Sequence, residues 1–129
     1  MQQLGIQSVA IKTTVENIAA VKRFYIEFLG GKEMVEMPGS YVIELPDLSI
    51  IELYTEISET PDYLFSQNQV VIGYRTENLH DMFEKIQSAG YPILSSIQHA
   101  GNCYSYFHFI DPNNQISMMN EVHKHSIIN

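Results

Sequence analysis

The order strand, helix, strand, strand, strand occurs twice in this chain, the second copy starting about 60 residues after the first, and repetition of that kind restricts the fold before any motif is considered. Residues 7–13 (QSVAIKT) alternate and are rich in β-formers, which predicts a strand. Ile18, Val21, Phe24, Tyr25 and Phe28 then recur at helical spacing, and Gly30-Gly31 stops the helix. Phe24, Tyr25 and Phe28 are expected to anchor that helix in the core. Strands are predicted over 32–37, 40–45 and 48–54, punctuated by Pro38-Gly39 and Pro46-Asp47, where proline presets φ and Gly or Asp tolerates the bend. Residues 55–68 are polar, contain Pro61 and read as a linker.

The pattern restarts with a strand over 69–76 (QVVIGYRT). Leu79, Met82, Phe83 and Ile86 mark a helix face, with Asn78 as N-cap and Gly90 as stop. Strands follow over 92–98, 103–110 (CYSYFHFI) and 116–122, the last two joined by an Asp111-Pro112-Asn113-Asn114 turn. Neither half is large enough to bury its own sheet face alone, so the two share one domain of 129 residues. Its parts are module one over about 5–56, a linker over 57–68, module two over about 69–122 and a tail over 123–129. The class is α+β.

Charge limits the partners. Seven basic and fifteen acidic side chains give a net charge of −8. Such a chain repels phosphate and anionic lipid, so neither nucleic acid nor a membrane surface is expected as partner. No apolar run is long enough for a membrane helix and no signal segment is evident, so a cytoplasmic location is expected. Cys103 is the only cysteine, which excludes an internal disulfide and fits a reducing compartment. In a strand-like stretch it is read as packing rather than as a nucleophile. From Glu33 to Tyr74 there is no Lys or Arg, yet eight of the fifteen acids lie there. That stretch is either a solvated face or the surroundings of a cation site.

Several segments together resemble the vicinal oxygen chelate superfamily, which includes glyoxalase I, bleomycin- and fosfomycin-resistance proteins and extradiol dioxygenases. Phe24-Tyr25-Ile26-Glu27-Phe28-Leu29-Gly30 is similar to the family's "FY…LG" helix end. Tyr106-Phe107-His108-Phe109-Ile110-Asp111-Pro112-Asn113-Asn114 is similar to its "YF.F.DP.G" hairpin, and Glu121 matches an acid that follows it. Ile51-Glu52-Leu53 sits where the first module closes. The resemblance implies two βαβββ modules whose curved mixed sheets form a cup, with the helices outside.

In metal-dependent members of that family, four inward side chains, normally His or Glu, hold a divalent ion. The resemblance places those positions on Ser8, Glu52, Val71 and Met118. Valine cannot coordinate, serine is weak and a thioether prefers soft metals, so the expectation is no family-type metal site and no cofactor. Glyoxalase and dioxygenase activity are then disfavoured.

Strand alternation groups Tyr54 with Glu52, Arg75 with Val71, Asn120 with Met118, and Tyr104 and Tyr106 with His108. The resulting ligand-facing set is Ser8, Tyr54, Val71, Arg75, Tyr104, Tyr106, Met118 and Asn120. Glu52 among aromatics suits a general base, and His108 an acid partner. The plainer alternative pairs Glu52 with Lys12 or Arg75 and His108 with a tyrosine. Among the other histidines, His80 is expected exposed, His99 in a rim loop, and His123 and His125 beside Glu121.

Two functions follow. The first is a metal-independent small-molecule binder of the bleomycin-resistance type, a small acidic homodimer that sequesters an antibiotic or a cationic aromatic metabolite. The alternative is a metal-independent lyase, isomerase or epimerase that uses Glu52 and His108 for proton transfer.

Overall fold

The computed structural model describes residues 4–100 and 104–123. The strands are β1 (Gly5–Lys12), β2 (Lys32–Met37), β3 (Ser40–Glu44), β4 (Ile50–Tyr54), β5 (Val70–Arg75), β6 (Gln98–Ala100), β7 (Tyr104–Ile110) and β8 (Ile116–Val122). The helices are α1 (Ile18–Arg23), which runs on into a π-helical turn over Phe24–Phe28, and α2 (Leu79–Ser88). The fold is therefore α+β, as the repeat predicts. The chain divides into two compact units, one of Ser8–Val71 and one of Met1–Gln7 with Ile72–Asn129.

Both units use the same strand order. In the first, β1 runs parallel to β4, and β4, β3 and β2 follow as antiparallel neighbours. In the second, β5 runs parallel to β8, and β8, β7 and β6 follow in the same way. The duplicated hydrophobic pattern is thus a duplicated topology.

Each helix covers one face of its own sheet. In the first unit Ile18, Val21, Tyr25 and Ile26 pack on the buried Ile43, Ile51 and Leu53. In the second, Leu79, Met82, Phe83 and Ile86 pack on Phe107, Phe109 and Met119. Side chains of this kind contribute about 1.5–3 kcal/mol each when fully buried. Asn78 caps α2 as expected, its side chain accepting from the Asp81 backbone N–H at 3.0 Å. Glu121 adds to that end by accepting from the Leu79 N–H at 2.9 Å. Gly30 and Gly90 stand just past the helical segments at φ of +73° and +91°, a conformation that stops a helix and that side chains resist.

Three expectations need correction. Phe24 and Phe28 are not core anchors: they are 49% and 75% exposed. The π-helical turn widens the backbone after Arg23, turns Tyr25 toward the core and leaves the two phenyl rings against each other at 5.7 Å. The segment predicted as a strand over 92–98 is one only at Gln98, the first residue of β6. Ile93 makes one isolated bridge to Phe109, and the Ser95 hydroxyl accepts from the His108 N–H, where a strand would offer a backbone carbonyl. His99 lies on β6 rather than in a loop. Cys103 and His125 lie outside the described residues.

Candidate functional site

In the first unit the helix-free sheet face carries the candidate carboxylate. Register places Ala10 beside Glu52, Lys12 beside Tyr54 and Ser8 beside Ile50. On the other side of β4, Val42 stands opposite Glu52 and Glu44 opposite Ile50. Neighbours in register share a face, so Ser8, Lys12, Glu44, Glu52 and Tyr54 all point away from the Ile43, Ile51 and Leu53 core. Glu44 stands on the same side as Glu52.

Glu52 is only 3% exposed. The Tyr54 hydroxyl donates to its Oε1 at 2.9 Å. Tyr54 in turn meets the Phe65 ring at 5.8 Å, and Lys12 Nζ lies 5.8 Å from the same ring centroid. Sequence reasoning missed Phe65. It is one aromatic in a polar linker, and nothing local to it signals that the linker folds back onto β4.

In the second unit the corresponding face is aromatic. Register pairs Tyr104 with Val122, Tyr106 with Asn120 and His108 with Met118. Gly73 stands beside Met118, and Arg75 beside Asn120. The rings of Tyr104, Tyr106 and His108 follow one another at 5.7 and 5.3 Å. Alternation thus places Arg75, Tyr104, Tyr106, His108, Met118 and Asn120 on one face, opposite the Phe107 and Phe109 core. Arg75 Nη1 donates to the Ile6 carbonyl at 2.9 Å.

Burial of the His108 imidazole lowers its pKa from 6.5 to about 4. It is therefore a neutral ring at neutral pH, able to donate from one nitrogen and accept at the other, but not an imidazolium acid. Asn120 is 2% exposed, and its amide N–H donates to Met118 Sδ at 3.5 Å. Among the described residues no donor reaches its Oδ1.

Ser8 and Val71 are each 3% exposed and Met118 is 7% exposed. With Glu52 these are the four positions that the resemblance of the sequence, not the structure, maps onto the ligands of metal-dependent relatives. One carboxylate, one hydroxyl, one thioether and a hydrocarbon do not fit a hard divalent ion. No group of three or more His, Cys, Asp or Glu side chains is arranged to hold a metal among the described residues.

The sequence matches the model of the Glyoxalase/Bleomycin resistance protein/Dioxygenase superfamily over residues 5–116. The chain belongs to that superfamily. No curated protein matches it in sequence. Solved structures show the same fold at low identity. A hypothetical protein of Bacillus halodurans is 16% identical with a TM-score of 0.69, covering 93% of this chain and 95% of its own. Methylmalonyl-CoA epimerase of Mycobacterium tuberculosis is 14% identical with a TM-score of 0.69, covering 97% of this chain and 92% of its own. A variant of the Streptomyces coelicolor methylmalonyl-CoA epimerase in complex with 2-nitronate-propionyl-CoA is 14% identical with a TM-score of 0.64, covering 91% and 96%. Members of this superfamily bind small molecules, and no helix among the described residues is long and apolar enough to cross a membrane.

Proposed function

We propose that this superfamily member binds a small organic cation, an antibiotic or an aromatic metabolite, and that Glu52 is its anchor. The observation that carries this reading is the Glu52–Tyr54 pair. A carboxylate 3% exposed stands on the sheet face turned away from the hydrophobic core, held by a tyrosine hydroxyl at 2.9 Å. Buried away from water, a carboxylate attracts a cation far more strongly than a solvated one does. The neighbouring Tyr54 and Phe65 rings add aromatic faces of the kind cations favour. A small apolar surface with few polar anchors is the usual chemistry of a ligand site.

Thermal melting with a panel of flat organic cations, bleomycin among them, tests the reading. A ligand should raise the melting temperature in a saturable way, and Glu52→Gln should abolish the rise. No rise with any cation, or an equal rise in the variant, would overturn it.

A second reading rests on the likeness to methylmalonyl-CoA epimerases in fold. In it, Glu52 removes a proton next to a thioester carbonyl to give a planar enolate, the enolate turns its other face to the Glu52 carboxylic acid, and the proton is returned there, with no net change in atoms. His108, neutral at working pH, has no imidazolium proton to give, so proton transfer rests on Glu52. Incubation with methylmalonyl-CoA in heavy water is the discriminating experiment. Deuterium at the carbon next to the thioester carbonyl, lost in Glu52→Gln, supports turnover; no incorporation above the protein-free rate leaves binding as the function.

A further inference from the structure

A different cluster occupies the α2 side of the second unit's sheet. His99 on β6 stands in register with Ser105 on β7, and Ser105 with Glu121 on β8. His99 Nδ1 is 2.7 Å from Ser105 Oγ, and His123 Nε2 is 3.0 Å from the same oxygen. Two imidazoles, brought together by three segments of the chain, aim at the Oγ of Ser105, a residue that is 5% exposed. Glu121 is committed elsewhere, accepting from the Leu79 N–H.

From this geometry we propose that His99 and His123 form a site for one divalent transition metal of the zinc, cobalt or nickel type. A serine hydroxyl has a single proton. It can donate to one ring while accepting an N–H from the other, so at least one imidazole lone pair is needed at this point. Neutral imidazole exchanges tautomers, and the alternative tautomers direct both lone pairs to the same place. Both nitrogens already lie within hydrogen-bond distance of one oxygen, so small side-chain rotations bring them to the ~2.0–2.1 Å of a metal–imidazole bond. Imidazole selects borderline metals of this class over magnesium or calcium. The Ser105 hydroxyl and water complete the coordination. β6 is the edge strand and His99 is exposed, so an ion reaches the rings directly from solvent. Binding would tie β6, β7 and the residue after β8 together, and the site needs nothing from Glu52.

Chelator-treated full-length protein titrated with Zn²⁺ by calorimetry, and with Co²⁺ by optical spectroscopy, tests this. The expected result is one saturable ion per chain and a rise in melting temperature on adding Zn²⁺. His99→Gln and His123→Gln should each weaken binding by more than about 10-fold, and His80→Gln, on the exposed side of α2, should leave it unchanged. In the wild type, Zn²⁺ should shift the imidazole NMR signals of His99 and His123, which checks the assignment without any variant. Non-saturable binding, or binding lost in His125→Gln but kept in His99→Gln, would show adventitious capture by the tail and overturn the site.

Discussion

The Tyr54 hydroxyl donates to Glu52 Oε1 at 2.9 Å, two residues along the same strand and on the same sheet face. The contact follows from strand geometry. Residues i and i+2 stand side by side, and a tyrosine is long enough to lean back over its neighbour. Tyr54→Phe keeps the ring against Phe65 and deletes only the donor. A buried carboxylate that loses a hydrogen bond costs about 1–3 kcal/mol, so denaturant unfolding should show a loss within that range at unchanged m. A variant as stable as the parent would mean that the hydroxyl contributes nothing to holding Glu52.

His108 makes the stability of the fold sensitive to pH in a defined window. Its folded pKa, about 4, lies below the ordinary 6.5. Between these values the unfolded chain binds the proton and the folded chain does not, so acid favours unfolding. The contribution is fully present above pH 6.5, declines as pH falls, and is lost by about pH 4, amounting to about 3 kcal/mol. Carboxylates titrate in part of the same range, so the informative quantity is the difference between wild type and His108→Phe. The variant's unfolding free energy should vary less steeply from pH 6.5 down to pH 4. Parallel pH profiles would contradict the buried neutral imidazole.

The aromatic residues of the two units separate by burial, and substitution should separate them by energy. Phe107 is fully buried, with Phe83 at 5.0 Å and Phe109 at 5.9 Å. Phe107→Ala should cost about 3–5 kcal/mol. Phe28 is 75% exposed, so Phe28→Ala should stay within about 0.5 kcal/mol. Equal losses in thermal or denaturant unfolding would show that Phe28 is covered in solution.

That contrast also shows what the sequence made legible. The repeated order of strands and helices, the Asn78 cap and the Gly30 and Gly90 stops are local signals, and each appears where the pattern places it, except the strand after α2, which forms as β6 later than predicted. The face shared by Glu52 and Tyr54 follows from alternation alone. The burial of Phe24 and Phe28 did not follow, because a helical period assumes an α-helix and the chain widens to a π-turn there. Segment 92–98 lies where the repeat calls for a strand, yet the Ser95 hydroxyl takes a bond that a strand would give to backbone. Phe65 and the His99–Ser105–His123 cluster were not legible, since both depend on contacts between elements distant in sequence.

Asn120 joins a buried position to an unpaired acceptor. It is 2% exposed, its side-chain N–H donates to the weakly accepting Met118 Sδ, and no donor among the described residues meets Oδ1. A buried acceptor without a donor costs about 1–3 kcal/mol, and a methylsulfanyl partner returns little of it. Leucine has nearly the same shape and no polar atom. Asn120→Leu should therefore stabilise the ligand-free protein, by about 1 kcal/mol after imperfect packing is subtracted. Differential scanning calorimetry at neutral pH would register this as a melting temperature higher by a few degrees. A lower melting temperature would establish that Oδ1 accepts a hydrogen bond in solution and that the amide helps hold β8 in place.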